Sequence, residues 1–591
     1  MRPSILLAAV AAESIRAILP RATVDCPSCL GLLSQLQPLA KSSTDALVVQ
    51  LTGLCIQLGA APADVCSGVV NGAGPVLATA LRQINVTGPT GERLCGALMN
   101  VCTTKTPVPF TVPFPKPPPV HPKVWKSRGR VPFRVAHLSD VHIDRGYTPG
   151  ADANCTKPLC CRVFPDSPPT PSAPAGPNGN AHCDSPVSLA ESMLAAVEHL
   201  QPRFSIFTGD VAERLVWLVN QSDVSTDLHD FNVEMARTLS APVFPSVGNH
   251  DTSPVNLFAR STSNTVNNSQ WVFDIDGRDW ARWIRPAAAS QVTHHSGSYS
   301  ALVPGTQLRI LALNTQYWYI QNFWLYDSDT FQPDPNGLFS FMVSQLQQAE
   351  DAGERVWIVQ HIPSGGSDFS VDSSNHYDQV LQRYKHTIAG LFFGHTHGDQ
   401  FQIAYSNYSA RTAENAVSVA MIGPSLTPNS GNPAFKLYEV DPDTYELLDS
   451  TVYFTNTSDG AFQSSPTWAP LYSARAAYGP LVDPPLPKNA PLGPVFWHNL
   501  TVAFLANQPL FDAYIARISR GASASVCSDA DGCRNRTVCD LRAMRSQDNC
   551  DVPTPGFSLR RRMEGEDSGL VETKCEGVGL ADVFRAMAGW A

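Results

Sequence analysis

The sequence predicts an α/β protein: a central region alternating strands and helices, an all-helical unit before it and a mostly helical region after it. Three observations predict this class. From Val131 to about Asn456, apolar runs of strand length alternate with stretches of helical periodicity. Between residues 22 and 104, six cysteines are separated by apolar residues at helical spacing. Between the two lies a Pro-rich segment that can build neither a helix nor a central strand.

At 591 residues the chain is long enough for several domains, and 43% hydrophobic content supports sizeable cores. The net charge is −10 with no long basic run, which argues against a nucleic-acid partner, since such binding needs clustered Lys and Arg to displace counterions. Met1–Ala12 carries one positive charge, a short apolar run and small residues, so residues 1–21 read as a secretory signal. No later segment approaches the roughly 20 apolar residues of a membrane span, so no transmembrane segment is expected. Asn-x-Ser/Thr sequons stand at Asn85, Asn154, Asn220, Asn267, Asn407, Asn456, Asn499 and Asn535. With clustered cysteines they point to an oxidising, glycosylating route, and so to secretion or to a vacuole or lysosome lumen.

In the unit 22–104, Cys26, Cys29, Cys55, Cys66, Cys95 and Cys102 flank runs such as Leu30, Leu33 and Leu36, then Leu47, Leu51 and Leu54. Six cysteines allow fifteen connectivities, which leaves the pairing open. The segment 105–130, with Pro107, Pro109, Pro113, Pro115 and Pro117 through Pro119, reads as a semi-rigid extended linker.

In the region 131–458 strands are expected over Phe133–Leu138, Arg203–Thr208, Pro242–Val247, within Ala301–Asn314, and over Arg355–Gln360, Ile388–Phe393, Ala416–Ile422 and Phe435–Val440. Helices are expected over Pro186–His199, Leu228–Leu239 and Leu338–Ala352. Five strands run into polar residues: Asp140-Val141-His142, Gly209-Asp210, Gly248-Asn249-His250-Asp251, Gln360-His361 and Gly394-His395-Thr396-His397. A Pro-rich insertion carries Cys155, Cys160, Cys161 and Cys183; adjacent Cys160 and Cys161 are strained as a pair, and the expectation is Cys155–Cys160 with Cys161–Cys183, a zinc knot being the rival. In the region 459–591, Asn499–Ile518 reads as two helices divided by Pro509. Cys527, Cys533, Cys539 and Cys550 suit two local bridges, with Cys575 left over.

One histidine after a strand is ordinary. Four histidines, two aspartates and an asparagine, each just beyond an apolar run, are not. They offer imidazole and hard oxygen donors with no thiolate, which suits a pair of Zn, Mn or Fe ions.

The ordered set Asp-x-His, Gly-Asp, Gly-Asn-His-Asp, a lone His and Gly-His-x-His resembles the calcineurin-like metallophosphoesterases. The layout of Cys26, Cys29, Cys55, Cys66, Cys95 and Cys102 resembles a saposin B-type domain. With the Cys-x4-Cys-Cys insertion and the stretch from Leu313-Asn314 through Asn322-Phe323-Trp324, nearly the whole chain after its signal is similar to acid sphingomyelinases. The resemblance implies a β-sandwich flanked by helices, and the pairs Cys26–Cys102, Cys29–Cys95 and Cys55–Cys66. It implies a membrane lipid as partner, met through the saposin-like domain, and two divalent metal ions, with zinc favoured. Asp140, His142 and His397 would hold one, Asn249, His361 and His395 the other, and Asp210 both.

The activity implied is hydrolysis of sphingomyelin to ceramide and phosphocholine by in-line attack of a metal-activated water. His250 would be the general acid, oriented by Asp251, with His250 and Asn249 against the substrate. One position departs from the family, which has a histidine four residues after the Asp of Gly-Asp; here it is Arg214. That side chain either clamps a phosphate oxygen or turns outward to Glu213 or Asp223. Two alternatives stand beside this reading: a phosphodiesterase acting on another phospholipid or a soluble phosphodiester, and a lipid-binding protein with an inactive catalytic domain, whose mark would be a lost ligand.

Overall fold

The computed structural model describes residues 25–263, 269–522, 527, 532–550 and 579–590. Asn267, Cys575 and the signal-like start lie outside them.

Two six-stranded mixed sheets face each other. Strands β1 (Phe133–Leu138), β2 (Phe204–Phe207) and β3 (Val243–Pro245) are parallel neighbours, and β10 (Ala434–Val440), β11 (Leu447–Phe454) and β12 (Ala469–Ser473) extend their sheet antiparallel from β1. The second sheet runs β4 (Tyr299–Leu302), β5 (Leu308–Leu313), β6 (Arg355–Gln360), β7 (Ile388–Phe393), β9 (Ala416–Ile422) and β8 (Gln400–Tyr405), with β5, β6, β7 and β9 parallel. Aromatic rings lock the sheets together: Phe204 meets Trp357 at 5.7 Å and Phe392 meets Tyr438 at 5.3 Å. Both faces of β2 and β6 are covered, so these strands read as continuous apolar runs rather than alternating ones.

Helices α5 (Val187–His199), α6 (Gln221–Thr238) and α7 (Gln270–His294) lie in the first half of this region, and α8 (Leu338–Ala352) and α9 (Val371–Tyr384) in the second. Helix α6 starts seven residues before the expected Leu228. The Asn220 side chain accepts from the backbone of Ser222 and Asp223 while Asp223 returns a bond, a capping box that nucleates a first turn with little apolar content. Helix α7 is kinked at Arg285-Pro286.

Four helices precede the sandwich: α1 (Cys26–Ser42), α2 (Thr44–Gln57), α3 (Ala63–Gln83) and α4 (Pro89–Met99). Disulfides Cys26–Cys102, Cys29–Cys95 and Cys55–Cys66 staple them. Their core continues into Leu215, Trp217, Phe323, Trp324 and Tyr326 of the sandwich region. Gly68 marks the seam, because a β-carbon there would lie 2.1 Å from the Trp217 carbonyl oxygen. The Pro-rich segment beyond them runs along α9, whose side chains supply the partners that a Pro-rich backbone lacks: Asp372 accepts from Val108 N–H at 2.6 Å and Gln379 from Val112 N–H at 3.0 Å.

Beyond the sheets come α10 (Ala474–Tyr478), α11 (Pro494–Ala506), α12 (Gln508–Ile518), α13 (Cys533–Leu541) and α14 (Leu580–Trp590). The break between α11 and α12 falls at Asn507, with Pro509 in the first turn of α12. Strand β12 makes this region a contributor to the first sheet as well as a helical cover. Further disulfides join Cys155–Cys160, Cys161–Cys183, Cys527–Cys533 and Cys539–Cys550. The sequon residues Asn85, Asn154, Asn220, Asn407, Asn456 and Asn535 are exposed, and Asn499 is half-buried.

Candidate metal centre

The ends of β1, β2, β3, β6 and β7 converge on one point, because parallel strands deliver their C-terminal loops to the same edge. Asp140, His142, Asp210, Asn249, His361, His395 and His397 all come together there, and all but His395 are fully buried. Potential ligand atoms of Asp140, His142 and His397 lie within 4.8 Å of one another, as do those of Asp210, His361 and His395. Asp210 links the sets: its Oδ2 is 3.6 Å from His142 Nε2 and 3.2 Å from His361 Nε2.

The backbone is bent to achieve this. Asp140, His142, Asp210, His395 and His397 all have φ between 38° and 72°, the left-handed region that costs a residue with a β-carbon. Gly248 lets two of these loops touch: a β-carbon there would fall 2.1 Å from Asp210 Oδ1.

Second partners aim the first ones. His142 Nδ1 donates to the Ala212 carbonyl at 2.9 Å, and His361 Nδ1 to the Thr208 carbonyl at 2.7 Å, which turns Nε2 of each ring toward the cluster. The Asn249 amide donates to Asn256 Oδ1 at 2.8 Å, which turns its own oxygen inward. His395 Nε2 lies 2.7 Å from Asp368 Oδ2, which leaves Nδ1 facing Asn249.

The result is a tight cluster of ring nitrogens and side-chain oxygens. His361 Nε2 stands 2.8 Å from Asn249 Oδ1, and His142 Nε2 stands 3.1 Å from His397 Nε2. The buried carboxylates draw positive charge to the cluster. Burial opposes charge on His361, yet Asp210 and then Asp140 raise it to about 9. Burial raises Asp140 to about 6 and lowers His142 to about 3. Asp210 is buried too, but His361 and His250 hold it well below the usual carboxylate range. These donors fit two divalent cations, with Asp140, His142 and His397 on one side, Asn249, His361 and His395 on the other and Asp210 between them.

The remaining assigned residues are also placed. His250 is 2% exposed, packs edge-on against His142 at 4.8 Å, and is lowered to about 3 by burial. It faces a small cavity of about 10 Å³ beside Glu213 and Thr252. Asp251 accepts main-chain N–H bonds from Gly248 at 2.6 Å, Val211 at 2.7 Å and Asp210 at 3.2 Å. Its carboxylate thus ties the two loops together, a different task from orienting His250.

Arg214 neither clamps nor turns outward. It is 1% exposed, and its backbone N–H, Nε and Nη2 all bind Asp184, at 2.6, 2.8 and 2.5 Å. Asp184 follows the Cys161–Cys183 bridge, so the disulfide insertion supplies the counterion that draws this arginine inward. Glu213 is bound instead by Arg162 at 2.5 Å, while Asp223 belongs to the α6 cap.

Asp368, Asn256 and Asp184 were not apparent in the sequence. Asp368 sits in Gly365-Gly366-Ser367-Asp368, a loop just after β6, so the rule that found His361 also covers it. Asn256 and Asp184 carry no such signal.

A larger cleft of about 700 Å³ reaches this centre at His395 and Asp368. Arg93, Ala97 and Asn100 of the helical unit line it on one side, with Tyr317 and Tyr326 also in its wall.

A family model described as calcineurin-like phosphoesterase matches residues 133–399. The chain is 33% identical over 422 residues to a sphingomyelin phosphodiesterase of Bos taurus, covering 70% of this chain and 64% of that one, a little under two thirds. It is 31% identical over 536 residues to a sphingomyelin phosphodiesterase of Homo sapiens, covering 88% and 81%. It is 30% identical over 568 residues to sphingomyelin phosphodiesterase 2 of Caenorhabditis elegans, covering 89% and 88%. With identity of 30% or more over most of both chains, the chain belongs to the sphingomyelin phosphodiesterase family of calcineurin-like phosphoesterases.

Proposed function

We propose that the chain is a two-cation phosphodiesterase that cleaves sphingomyelin to ceramide and phosphocholine. The observation that carries this is the pair of buried ligand-atom clusters, Asp140, His142 and His397 and then Asp210, His361 and His395, which the cleft reaches at His395. Asp140, His142 and His397 would hold one ion; Asn249, His361 and His395 the other; Asp210 would touch both. The nitrogen and oxygen donors suit Zn, Mn or Fe, and the resemblance to acid sphingomyelinases favours zinc. Two such ions supply Lewis acidity toward a phosphate oxygen and a nucleophilic water without a strong base.

The chain's own residues do the rest. His250 is the proposed proton donor to the leaving alkoxide. Burial keeps it neutral, and an anionic phosphodiester beside it would favour its charged form. Asp251 keeps the Asp210 and Asn249 loops in register through the main chain. The cleft is of a size that suits a small-molecule site, and the helical unit forms one of its walls, which supports a role in presenting lipid. The substrate is inferred from what the relatives are named for.

The division into a saposin-like domain 22–104, a linker, a phosphoesterase domain 131–458 and a C-terminal region belongs to the same proposal. So does passage through an oxidising secretory route, supported by the seven disulfides among the described residues and by the exposed sequons. Among the described residues no helix is long and apolar enough to cross a membrane.

The test is hydrolysis of sphingomyelin in mixed vesicles at acid pH, with and without chelator, beside a soluble chromogenic phosphodiester. Cleavage of both, lost with chelator and restored by zinc, is expected. Cleavage of the soluble ester alone would move the substrate elsewhere. Cleavage of neither by metal-loaded protein would leave a lipid-binding protein.

A further inference from the structure

The phosphoesterase match ends at Asp399, yet the loop that carries His397 is held from beyond it. Helix α12 ends against this loop, where the Ile518 carbonyl accepts Asp399 N–H at 3.3 Å. Two residues later Arg520, itself at φ 56° and 0% exposed, passes its guanidinium under the loop. Nη1 donates to the His397 carbonyl and to Ser425 Oγ at 2.8 Å, and Nη2 to the Thr427 carbonyl at 3.5 Å. Ser425 N–H donates to the same His397 carbonyl at 3.2 Å. Asn432 fixes the arginine in turn, donating from Nδ2 to its carbonyl at 3.1 Å.

His397 lies at φ 61°, a conformation its surroundings must impose. A fully buried guanidinium is a costly way to close a core, since its charge gives up water for fixed dipoles. Here those dipoles include the carbonyl of a metal-ligand residue. We propose that Arg520 is a positioning residue of the metal centre, holding His397 in its ligating pose, so that the C-terminal region is part of the site. The proposal rests on the two-cation reading of the previous subsection.

The test uses the full-length chain loaded with zinc and dialysed against graded chelator, with metal per chain as the readout. Unfolding of the metal-free and loaded forms and steady-state kinetics on a soluble phosphodiester run alongside. In Arg520→Met one of two ions is expected to be lost at about tenfold lower chelator concentration, with the metal-induced rise in Tm reduced. kcat should fall while KM changes little. Arg520→Lys keeps the charge but cannot fork between two carbonyls, so it should fall between Met and wild type. Arg542→Lys, whose parent side chain reaches Thr501 at 2.7 Å in the same region, is the control and should retain metal normally. Folded Arg520→Met that keeps both ions as wild type does would overturn the proposal. If that variant does not fold, wild-type retention in Arg520→Lys overturns it equally. A wild-type chain that takes up no cation would refute the two-cation reading itself, and this proposal with it.

Discussion

Asp368 Oδ2 lies 2.7 Å from His395 Nε2, a carboxylate on the cleft wall bound to the back of a ring that faces Asn249 with its other nitrogen. The pair sets the tautomer, because a carboxylate accepts and Nε2 must then donate. Asp368→Asn is expected to lower cation affinity and turnover about tenfold, and Asp368→Ala somewhat more, since neutral or absent acceptors make the ring a weaker donor to metal. Metal titration followed by turnover on a soluble phosphodiester checks this; wild-type values for both variants would mean that His395 needs no such partner.

His250 and Asp251 are adjacent but should fail differently. His250→Ala is expected to keep both cations while losing roughly 10²–10⁴-fold in kcat on esters with poor leaving groups, and far less on activated ones. Asp251→Asn disturbs the main chain of two ligand loops, so metal retention should fall as well. The leaving-group dependence of the rate, measured beside metal content, separates them.

Arg214 is expected to act on stability rather than on substrate. Arg214→Met leaves the Asp184 carboxylate buried and uncompensated, a loss on the order of 3–5 kcal/mol. The double variant Arg214→Met/Asp184→Leu should recover much of it. Denaturant unfolding reads both. KM of whatever Arg214→Met protein folds should match wild type, and a several-fold rise would return Arg214 to the substrate.

Asp378 gives the pH dependence a sign. Burial raises its carboxyl to about 6, against contacts with Gln382 and Arg545 that lower it. The folded chain therefore binds a proton that the unfolded chain has released, and stability falls as pH rises from about 4 to about 6. Burial raises Asp276 well above the usual range, in the same direction. Asp378→Asn is expected to flatten the stability profile in that window and to add on the order of 2 kcal/mol at pH 7. Unfolding curves at pH 4, 5, 6 and 7 for both proteins test it; parallel profiles would show that Asp378 ionises freely in the fold.

Much of the sandwich was legible because its buried strands are apolar runs that stop at polar residues. The expected strands at β1, β6, β7 and β9 coincide with those observed, as does helix α8. Helices α7 and α9 escaped notice for other reasons: α7 is broken at Arg285-Pro286, and α9 mixes its buried Tyr377, Val380, Leu381 and Tyr384 with many polar residues. Strand β12 holds a proline and buries none of its five residues, so no apolar run marks it.

The sequence by itself determined the residue types at the strand ends, and with them the kind of chemistry available, since imidazole and carboxylate after an apolar strand are local features. Only the tertiary structure decided what stands behind them. Arg214 turns to Asp184 across 30 positions, Asp368 binds a ring 27 positions on, in the loop after β7, and Arg520 arrives under His397 from 123 positions away. Sequence spacing carries no trace of such pairs, because a buried charge takes whichever partner the packed chain brings within hydrogen-bond reach, and that partner is set by the fold rather than by the neighbouring residues.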